Sequence, residues 1–118
     1  MPRAMFELIV LEEAREFLKS LSPAVRKKIA YNIRKAKGGI KGPELFKKLE
    51  NSDIWEFRTL YMGIAYRLFA FWDTEAQTLI VATHGIVKKT QKTPAQEIYK
   101  ANCIRTKYFE DKQSSINK

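Results

Sequence analysis

The chain has 118 residues, 45% of them hydrophobic and 12% aromatic, which is enough apolar material for one packed domain. No stretch approaches the roughly 18 consecutive apolar residues that a membrane span needs, and no secretory cleavage site follows the short apolar run near the N-terminus. A single cysteine, Cys103, excludes an internal disulfide and a zinc site built on a thiol pair. We therefore expect a cytoplasmic protein with one domain over residues 1–110 and a disordered tail over residues 111–118.

The first half of the chain predicts one strand and two helices. The apolar run Phe6–Leu11 is typical of a strand, and apolar residues at helical intervals predict a short helix over residues 12–21. Ser22 can cap exposed N–H groups and Pro23 suits a first helical position, so a second helix begins there. The glycine pair at 38–39 ends it, because glycine tolerates the left-handed conformation of a helix C-cap.

The second half predicts mainly strands, after a connector with one helical turn at Glu44–Leu49. Two short turns separate three strands, as in antiparallel hairpins, and a capping box opens a last helix. The predicted strands and helix are Ile54–Tyr61, Ile64–Trp72, Thr78–Ile86 and Thr93–Phe109. The order β-α-α-β-β-β-α predicts an α+β fold, with a small, mainly antiparallel sheet, a helical hairpin packed on it and all the helices on one face.

The net charge of +9 is concentrated in two segments. Residues 19–50 carry ten basic and two acidic side chains, and residues 84–118 carry eight basic and three acidic ones. Basic surface of this kind suits nucleic acid, an acidic membrane surface or an acidic protein partner. We predict that Arg26 and Lys27 bind phosphate, with the alternative that many of these cations form a solvated helix face.

Arginines occur at single positions inside two of the apolar strands. If Met62 and Gly63 form a two-residue loop, Arg58 lies directly opposite Arg67 on one face of the sheet. A three-residue bulged loop would place the two arginines on opposite faces. We prefer the first register because it leaves the other face free of charge for the helices. Facing like charges are unfavourable, so this register predicts an anion site.

Two interpretations of the arginine pair remain open. In one, Glu56 and other carboxylates neutralise the arginines on a solvated sheet face. In the other, the planar, permanently charged guanidinium groups hold phosphate oxygens. A cluster just before the last helix favours the second interpretation, because a helix N-terminus attracts anions. Its members are Lys88, Lys89, Lys92 and Thr93.

His84 is the only histidine of the chain. It is either a hydrogen-bonded structural residue or a proton carrier, since the unperturbed pKa of histidine is about 6.5. No metal-ligand spacing accompanies it, so we expect no metal site. On the charged face, Phe69 or Phe71 is a candidate for stacking on a base of single-stranded RNA.

The segments WEFR, YRLFAFW and HGIVKKTQKTP resemble the RelE/ParE superfamily of toxins from toxin–antitoxin systems, in its HigB-like, phage-derived branch. The resemblance extends from about Phe6 through Phe109. It implies a type II toxin that cleaves mRNA in the ribosome and inhibits translation, without a metal or other cofactor. It also implies a cognate antitoxin, expected to be a helix-turn-helix DNA-binding protein, and no membrane partner.

The implied reaction is an in-line attack of the RNA 2′-hydroxyl on the adjacent phosphate. Arg67 matches the family's strand arginine and would stabilise the phosphate, and Arg58 falls where relatives carry a basic residue. The groups that transfer protons are left open, because several relatives use a tyrosine or histidine near the C-terminal end. The candidates are Glu56 or His84 for the base, Lys88 or Lys89 for the acid or for positive charge, and Tyr99 or Tyr108 in place of the relatives' C-terminal residue.

Two other functions belong to different classes. ParE-type members of the same superfamily poison DNA gyrase and need no nuclease site, and a non-catalytic RNA- or protein-binding module is a third reading. The presence of Arg58, Arg67 and the lysines before the last helix favours the nuclease over the ParE-type function, whereas a binding module would show salt-dependent affinity and no cleavage.

Overall fold

The computed structural model describes residues 6–39, 42, 44–75, 79–88 and 93–116, which form five strands and three helices. The α+β class predicted from the sequence is confirmed. The elements in chain order are β1 (Glu7–Val10), α1 (Glu12–Lys19), α2 (Pro23–Lys37), β2 (Phe46–Lys48), β3 (Trp55–Tyr61), β4 (Ile64–Trp72), β5 (Leu79–Lys88) and α3 (Ala95–Ile116).

The strands form one sheet in the order β1-β5-β4-β3-β2, with β4 at its centre. β1 runs parallel to β5, and the other pairs are antiparallel. Side chains alternate across a strand, so the sheet has two different faces. We call the face with Phe57 and Leu68 the α1–α2 face, and the face with Arg58 and Arg67 the arginine face.

The α1–α2 face is covered by the predicted helical hairpin. Ser22 begins α2 as predicted, and its side chain accepts a hydrogen bond from the backbone N–H of Val25 at 3.4 Å. Apolar residues of both helices pack on the sheet around Phe57. The one buried polar side chain of α2, Asn32, donates to Thr59 Oγ1 at 3.2 Å, so its amide is satisfied.

Close packing of α1 on the sheet depends on a glycine in β5. Gly85 pairs with Leu68 on the α1–α2 face, and a Cβ at Gly85 would overlap the ring of Phe17 on α1. A larger residue at this position would therefore push α1 away from the sheet.

The expectation that all helices lie on one face is wrong for α3, which packs on the arginine face. There Ala101 and Phe109 of α3 join an apolar cluster with Phe69, Phe71 and Val81 of the sheet. These strand residues form a second apolar surface, on the side away from the helical hairpin, and such a surface requires a cover. The sheet is thus enclosed between helices on both sides.

A short strand replaces the helical turn predicted at Glu44–Leu49. In β2, the ring of Phe46 stacks on those of Trp55 and Phe57, with centroids 4.7 and 4.4 Å apart. Pairing with β3 and these ring contacts outweigh the local helical spacing of the leucines.

The C-terminal helix is longer than predicted, since α3 continues to Ile116 where the sequence suggested a disordered tail after residue 110. Lys112 explains the difference. Its ammonium group lies 2.7 Å from a carboxylate oxygen of Asp73 and 2.8 Å from one of Glu75, which ties the last turns of α3 to the turn after β4. Residues 117–118 lie outside the described part of the chain.

The turn between β3 and β4 has the predicted two-residue loop. Met62 and Gly63 both adopt positive φ, 50° and 79°, as a type I′ turn requires. Tyr61 consequently pairs with Ile64, and the same register sets Arg58 opposite Arg67. The preferred register is confirmed, and the bulged alternative is not adopted.

The pairing of β4 with β5 shifts by one residue at a β-bulge near Thr83. Ala82 lies on the α1–α2 face, whereas His84 stacks on a ring of the arginine face. Two residues that simple alternation would place together thus lie on opposite faces. The shifted register also brings Lys88, at the end of β5, to the arginine face. The predicted strand start at Thr78 lies outside the described residues.

Candidate functional site

Arg58 and Arg67 lie side by side on the arginine face, and both contact one carboxylate. Oε1 of Glu56 is 3.4 Å from Arg58 Nε and 3.6 Å from Arg67 Nε. The side chains of Glu56 and Arg67 are only 2% and 6% exposed, while that of Arg58 is 18% exposed. Neighbouring strands therefore bring three of the predicted site residues together, with Arg58 nearest to solvent.

Lys88 and Thr93 complete this group. Thr93 Oγ1 donates to Glu56 Oε2 at 2.9 Å, and Lys88 Nζ donates to Thr93 Oγ1 at 3.2 Å. A carboxylate only accepts and an ammonium group only donates, so chemistry fixes both directions. Thr93, just before α3, thus links the carboxylate to the ammonium group. We call Glu56, Arg58, Arg67, Lys88 and Thr93 the cationic cluster.

The cationic cluster has an excess of positive charge, with three cations around one carboxylate among its members. Burial lowers the pKa of Arg67, and the charge of Arg58 lowers it further, against the opposing effect of Glu56. Nη1 of Arg67 donates to the Tyr66 carbonyl at 3.4 Å, but its buried Nε makes no hydrogen bond within the described residues. Glu56 contacts both arginines, as the neutralised interpretation expected, and it is the one carboxylate among the members of the cluster. Buried excess charge favours binding of an anion.

The same environment acts on Lys88. Burial lowers the pKa of Lys88, and the charges of Arg67, Arg58 and Lys47 lower it further, while Glu56 raises it. A lysine whose pKa is lowered gives up its proton more readily than a solvated one. The cluster thus holds a potential proton donor beside its arginines.

Lys47 is a neighbour of the cluster that the sequence did not indicate. It pairs with Glu56 across β2 and β3, and its side chain is exposed. Because residues 44–49 were predicted as a helical turn, no pattern placed Lys47 beside the cluster. A strand prediction for that segment would have placed it there.

His84 is not part of the cationic cluster. Its side chain is 4% exposed, its ring stacks on Phe69, and its nitrogens contact Thr83 Oγ1 at 2.9 Å and Glu97 Oε1 at 3.2 Å. Burial lowers the pKa of His84, although the hydrogen bond with Glu97 opposes this. In the sheet register, Phe69 stands between His84 and Glu56. His84 therefore joins α3 to the sheet and has no place beside the arginines.

The other predicted phosphate-binding residues do not converge on this site. Arg26 and Lys27 are exposed on α2, which covers the opposite face of the sheet. Lys89 and Lys92 lie outside the described residues. Helical periodicity shows which positions share a helix face, but not which side of the sheet that helix covers.

The aromatic candidates also have other roles. Phe69 and Phe71 are both 0% exposed, so the idea that one of them stacks on a base is wrong. Both rings are needed in the core beneath α3. The hydroxyl of Tyr108 donates to Asp73 at 2.7 Å, and burial together with this hydrogen bond raises its pKa to about 12. Tyr99 is 72% exposed on α3.

Two further properties concern only the part of the chain that the structure describes. Within it, no group of three or more His, Cys, Asp or Glu side chains is arranged to hold a metal ion. None of its helices combines the length and apolar character needed to cross a membrane. The chemistry offered by the cluster is that of cations, one carboxylate and one hydroxyl.

The fold is shared with a bacterial toxin. The chain is similar to a mutant of E. coli toxin RelE in the free state, with a TM-score of 0.59 and 20% sequence identity, over 86% of this chain and 97% of that one. It is also similar to the toxin–antitoxin complex RelBE2 from Mycobacterium tuberculosis, with a TM-score of 0.49 and 22% identity, over 74% of this chain and 95% of that one.

The family is given by the sequence itself. Residues 16–106 match the family described as phage derived protein Gp49-like (DUF891), which covers most of the chain, so the chain belongs to this family. The phage-derived family and the fold shared with RelE agree with the predicted phage-derived branch of the RelE superfamily. No curated protein sequence is significantly similar to the chain.

Proposed function

We propose that this protein is the toxin of a type II toxin–antitoxin system and that it cleaves mRNA on the ribosome without a metal ion. The observation that carries the proposal is the cationic cluster, in which two facing arginines and a lysine surround a single buried carboxylate. A phosphodiester carries the negative charge that guanidinium and ammonium groups bind. Its backbone position between neighbouring nucleotides also makes it the group at which RNA is cut.

In the proposed reaction, the arginines stabilise the phosphate as negative charge develops on it. Arg58, the more exposed of the two, meets the RNA first, and Arg67 lies behind it on the central strand. Both are held by the sheet before substrate arrives. Charge that is already in place needs little reorganisation in the transition state, which is where electrostatic stabilisation is most effective.

Glu56 and Lys88 are the proposed proton carriers. Glu56 takes the proton of the 2′-hydroxyl as its oxygen attacks the phosphorus, and Lys88 donates a proton to the leaving 5′-oxygen. The P–O5′ bond breaks, which leaves a 2′,3′-cyclic phosphate on one fragment and a 5′-hydroxyl on the other. Thr93, hydrogen-bonded to both carriers, holds them at the same phosphate. Of the two candidates for the base, Glu56 is favoured because His84 is separated from the cluster by Phe69.

The proposed partner is a cognate antitoxin of the helix-turn-helix DNA-binding class. Residues 84–118, with eight basic and three acidic side chains, are a basic segment that an acidic partner could cover. Co-expression with the product of the neighbouring gene should yield a stable complex and restore growth. If the two proteins neither associate nor suppress toxicity, this part of the proposal is wrong.

The first experiment is induction of the wild-type chain and of Arg67→Ala in growing cells, with primer extension on translated mRNA. We expect growth arrest and cut transcripts from the wild type, and at least about a hundredfold less cleavage from Arg67→Ala, because a transition-state contact is lost. Arg15→Ala, which removes a 58% exposed arginine paired with Glu12, is the matched control and should remain toxic. Since Arg67 is buried, Arg67→Lys serves as a second variant that retains the charge; we expect partial activity from it.

The alternatives give different results in the same cells. Intact transcripts with gyrase-dependent DNA damage would indicate a ParE-type toxin. Neither arrest nor cleavage, from a folded protein, would indicate a non-catalytic binding module. Cleavage that persists in Arg67→Ala would remove the cationic cluster from the mechanism.

A further inference from the structure

The outward surface of α2 carries a dense set of cations. Val25, Ile29, Asn32 and Ala36 of this helix are buried and Ile33 packs beside them, so the positions on the other side of the helix point away from the sheet. The helix sequence PAVRKKIAYNIRKAK contains six basic residues and no acidic one. We call this outward surface the α2 basic face; it consists of Arg26, Lys27, Lys28, Tyr31, Arg34, Lys35 and Lys37.

No carboxylate of the described fold neutralises these charges. No ion pair between described residues includes a cation of the α2 basic face. Arg26 lies in the first turn of the helix, where the helix dipole disfavours positive charge, whereas Arg34, Lys35 and Lys37 lie in the last turn, where it favours positive charge. Arg34 and Lys37, three residues apart, repel each other. An anion bound to the face would reduce this repulsion between like charges.

Tyr31 shows which kind of anion fits. The ammonium groups of Lys28 and Lys35 each lie 5.3 Å from the centre of its ring, which is 45% exposed. Cation–π contact holds the two ammonium groups in place and occupies the ring. Lysines held beside the ring compete with a base for its faces, which favours contact with phosphates over stacking. The α2 basic face thus offers positive charges held in position for phosphates, rather than a site that recognises bases.

A protein partner matches this surface poorly. Protein interfaces are centred on apolar and aromatic anchors and are depleted in lysine, whereas Tyr31 is the one large apolar side chain that α2 exposes. Double-helical RNA matches it well, because its base edges are hidden and proteins recognise it by phosphate and 2′-hydroxyl contacts.

We propose that the α2 basic face binds the phosphate backbone of double-helical RNA. The choice of RNA over DNA rests on the proposed function. Because α2 covers the face of the sheet opposite to the cationic cluster, the two surfaces do not compete. The protein can hold a folded RNA on one side while a single strand occupies the cluster on the other.

The test measures binding to a fluorescein-labelled RNA duplex by anisotropy over a range of salt concentrations, with all proteins in the Arg67→Ala background so that no RNA is cut. The double variant Lys27→Gln/Arg34→Gln removes two exposed cations from the centre of the face and keeps good helix formers. We expect its dissociation constant to rise about tenfold, and the slope of log affinity against log salt to fall by about 1 for each cation removed.

Lys48→Gln/Lys107→Gln is the matched control, since it removes the same charge from exposed positions on β2 and α3. Its salt slope should change much less. Equal losses in the two double variants would overturn the proposal, because binding would then follow net charge alone. A larger loss for the single strand of the same sequence than for the duplex would also overturn it. A DNA duplex that binds as tightly as the RNA duplex would refute the choice of RNA.

The test of duplex binding can fail or succeed independently of the proposed nuclease function. Duplex binding is measured without cleavage, so a protein that binds duplex through α2 but never cuts mRNA would refute the nuclease and leave this inference standing. A protein that cuts mRNA but loses no duplex affinity in Lys27→Gln/Arg34→Gln would support the nuclease and refute duplex binding by the α2 basic face.

Discussion

Two buried carboxylates of this protein have opposite surroundings. Asp73, which is 0% exposed, accepts hydrogen bonds from Tyr108 and Lys112, both at 2.7 Å, and Glu75 adds a second carboxylate beside Lys112. Glu56, which is 2% exposed, faces two guanidinium groups at 3.4 and 3.6 Å and is linked through a threonine to an ammonium group. Among the groups named here, two carboxylates surround one cation at Asp73, and three cations surround one carboxylate at Glu56.

We infer that this difference separates a structural site from the proposed functional one. Burial raises the pKa of Asp73, but hydrogen bonds from Lys112 and Tyr108 outweigh it, so the pKa is lowered overall and the charged carboxylate is satisfied. At the cationic cluster, burial lowers the pKa of Arg67 and Lys88. Only the second site becomes more favourable when an anion arrives. Burial alone does not identify a working carboxylate, whereas the charge of its neighbours does.

The sharpest test of this comparison is Glu56→Gln, for which we expect the largest effect. Cleavage in a single turnover should fall about a thousandfold, because the proposed base is lost. Affinity for an RNA with a 2′-deoxy group at the cut site should stay the same or increase, because one negative charge has left the cluster. Glu12→Gln, at an exposed carboxylate, is the control. Near-normal cleavage with lost affinity would mean that Glu56 only holds the arginines.

Lys88→Arg tests the proton donor at the same site with a smaller expected effect. The variant keeps the charge but does not release a proton near neutral pH, so kcat should fall about a hundredfold. A general acid works in its protonated form, so wild-type kcat/KM should decrease as pH rises through the pKa of Lys88, which is lowered from its ordinary 10.5. This decrease should be absent from Lys88→Arg. An unchanged pH profile in the variant would assign the acid to another group.

Asp73→Asn tests the structural carboxylate and should affect stability alone. We expect a loss of about 2 kcal/mol in the free energy of unfolding at neutral pH, because charged hydrogen bonds are weakened. Since the pKa of Asp73 is lowered from 3.8, its contribution is present above that value and disappears as pH falls through the lowered pKa. Urea unfolding over this pH range should show the two proteins converging in acid.

The control for this variant is Asp111→Asn, at an exposed position of α3. It should unfold like the wild type at every pH. Single-turnover cleavage by folded Asp73→Asn should equal that of the wild type, and a large fall would contradict the division between the two carboxylates.

Most of the fold followed from local patterns. The cap at Ser22, the turn at Met62 and the alternation along β4 are short-range features, and each led to a confirmed element. The strand β2 was not predicted, because its stability comes from ring contacts of Phe46 with residues elsewhere in the chain. The last turns of α3 depend in the same way on Lys112, whose partners precede it by more than thirty positions in the sequence.

For the site, too, short-range features could be predicted from the sequence and long-range ones could not. The juxtaposition of Arg58 and Arg67 needed only strand alternation and the length of one turn, so it was predictable. The placement of Lys88 and His84 was not, because the bulge near Thr83 changes the faces of every later residue in β5. No local pattern marks that bulge. The contact between Thr93 and Glu56 requires α3 to cross to the arginine face, which helical periodicity does not show.

Arg67 stands on β4, which has β5 on one side and β3 on the other. Its backbone is therefore freed only when a large part of the sheet separates, and we expect its amide hydrogen to exchange with solvent at the rate of global unfolding. Heating or mild denaturant should consequently remove activity and tertiary structure in a single transition, without a loosened species that still cuts slowly.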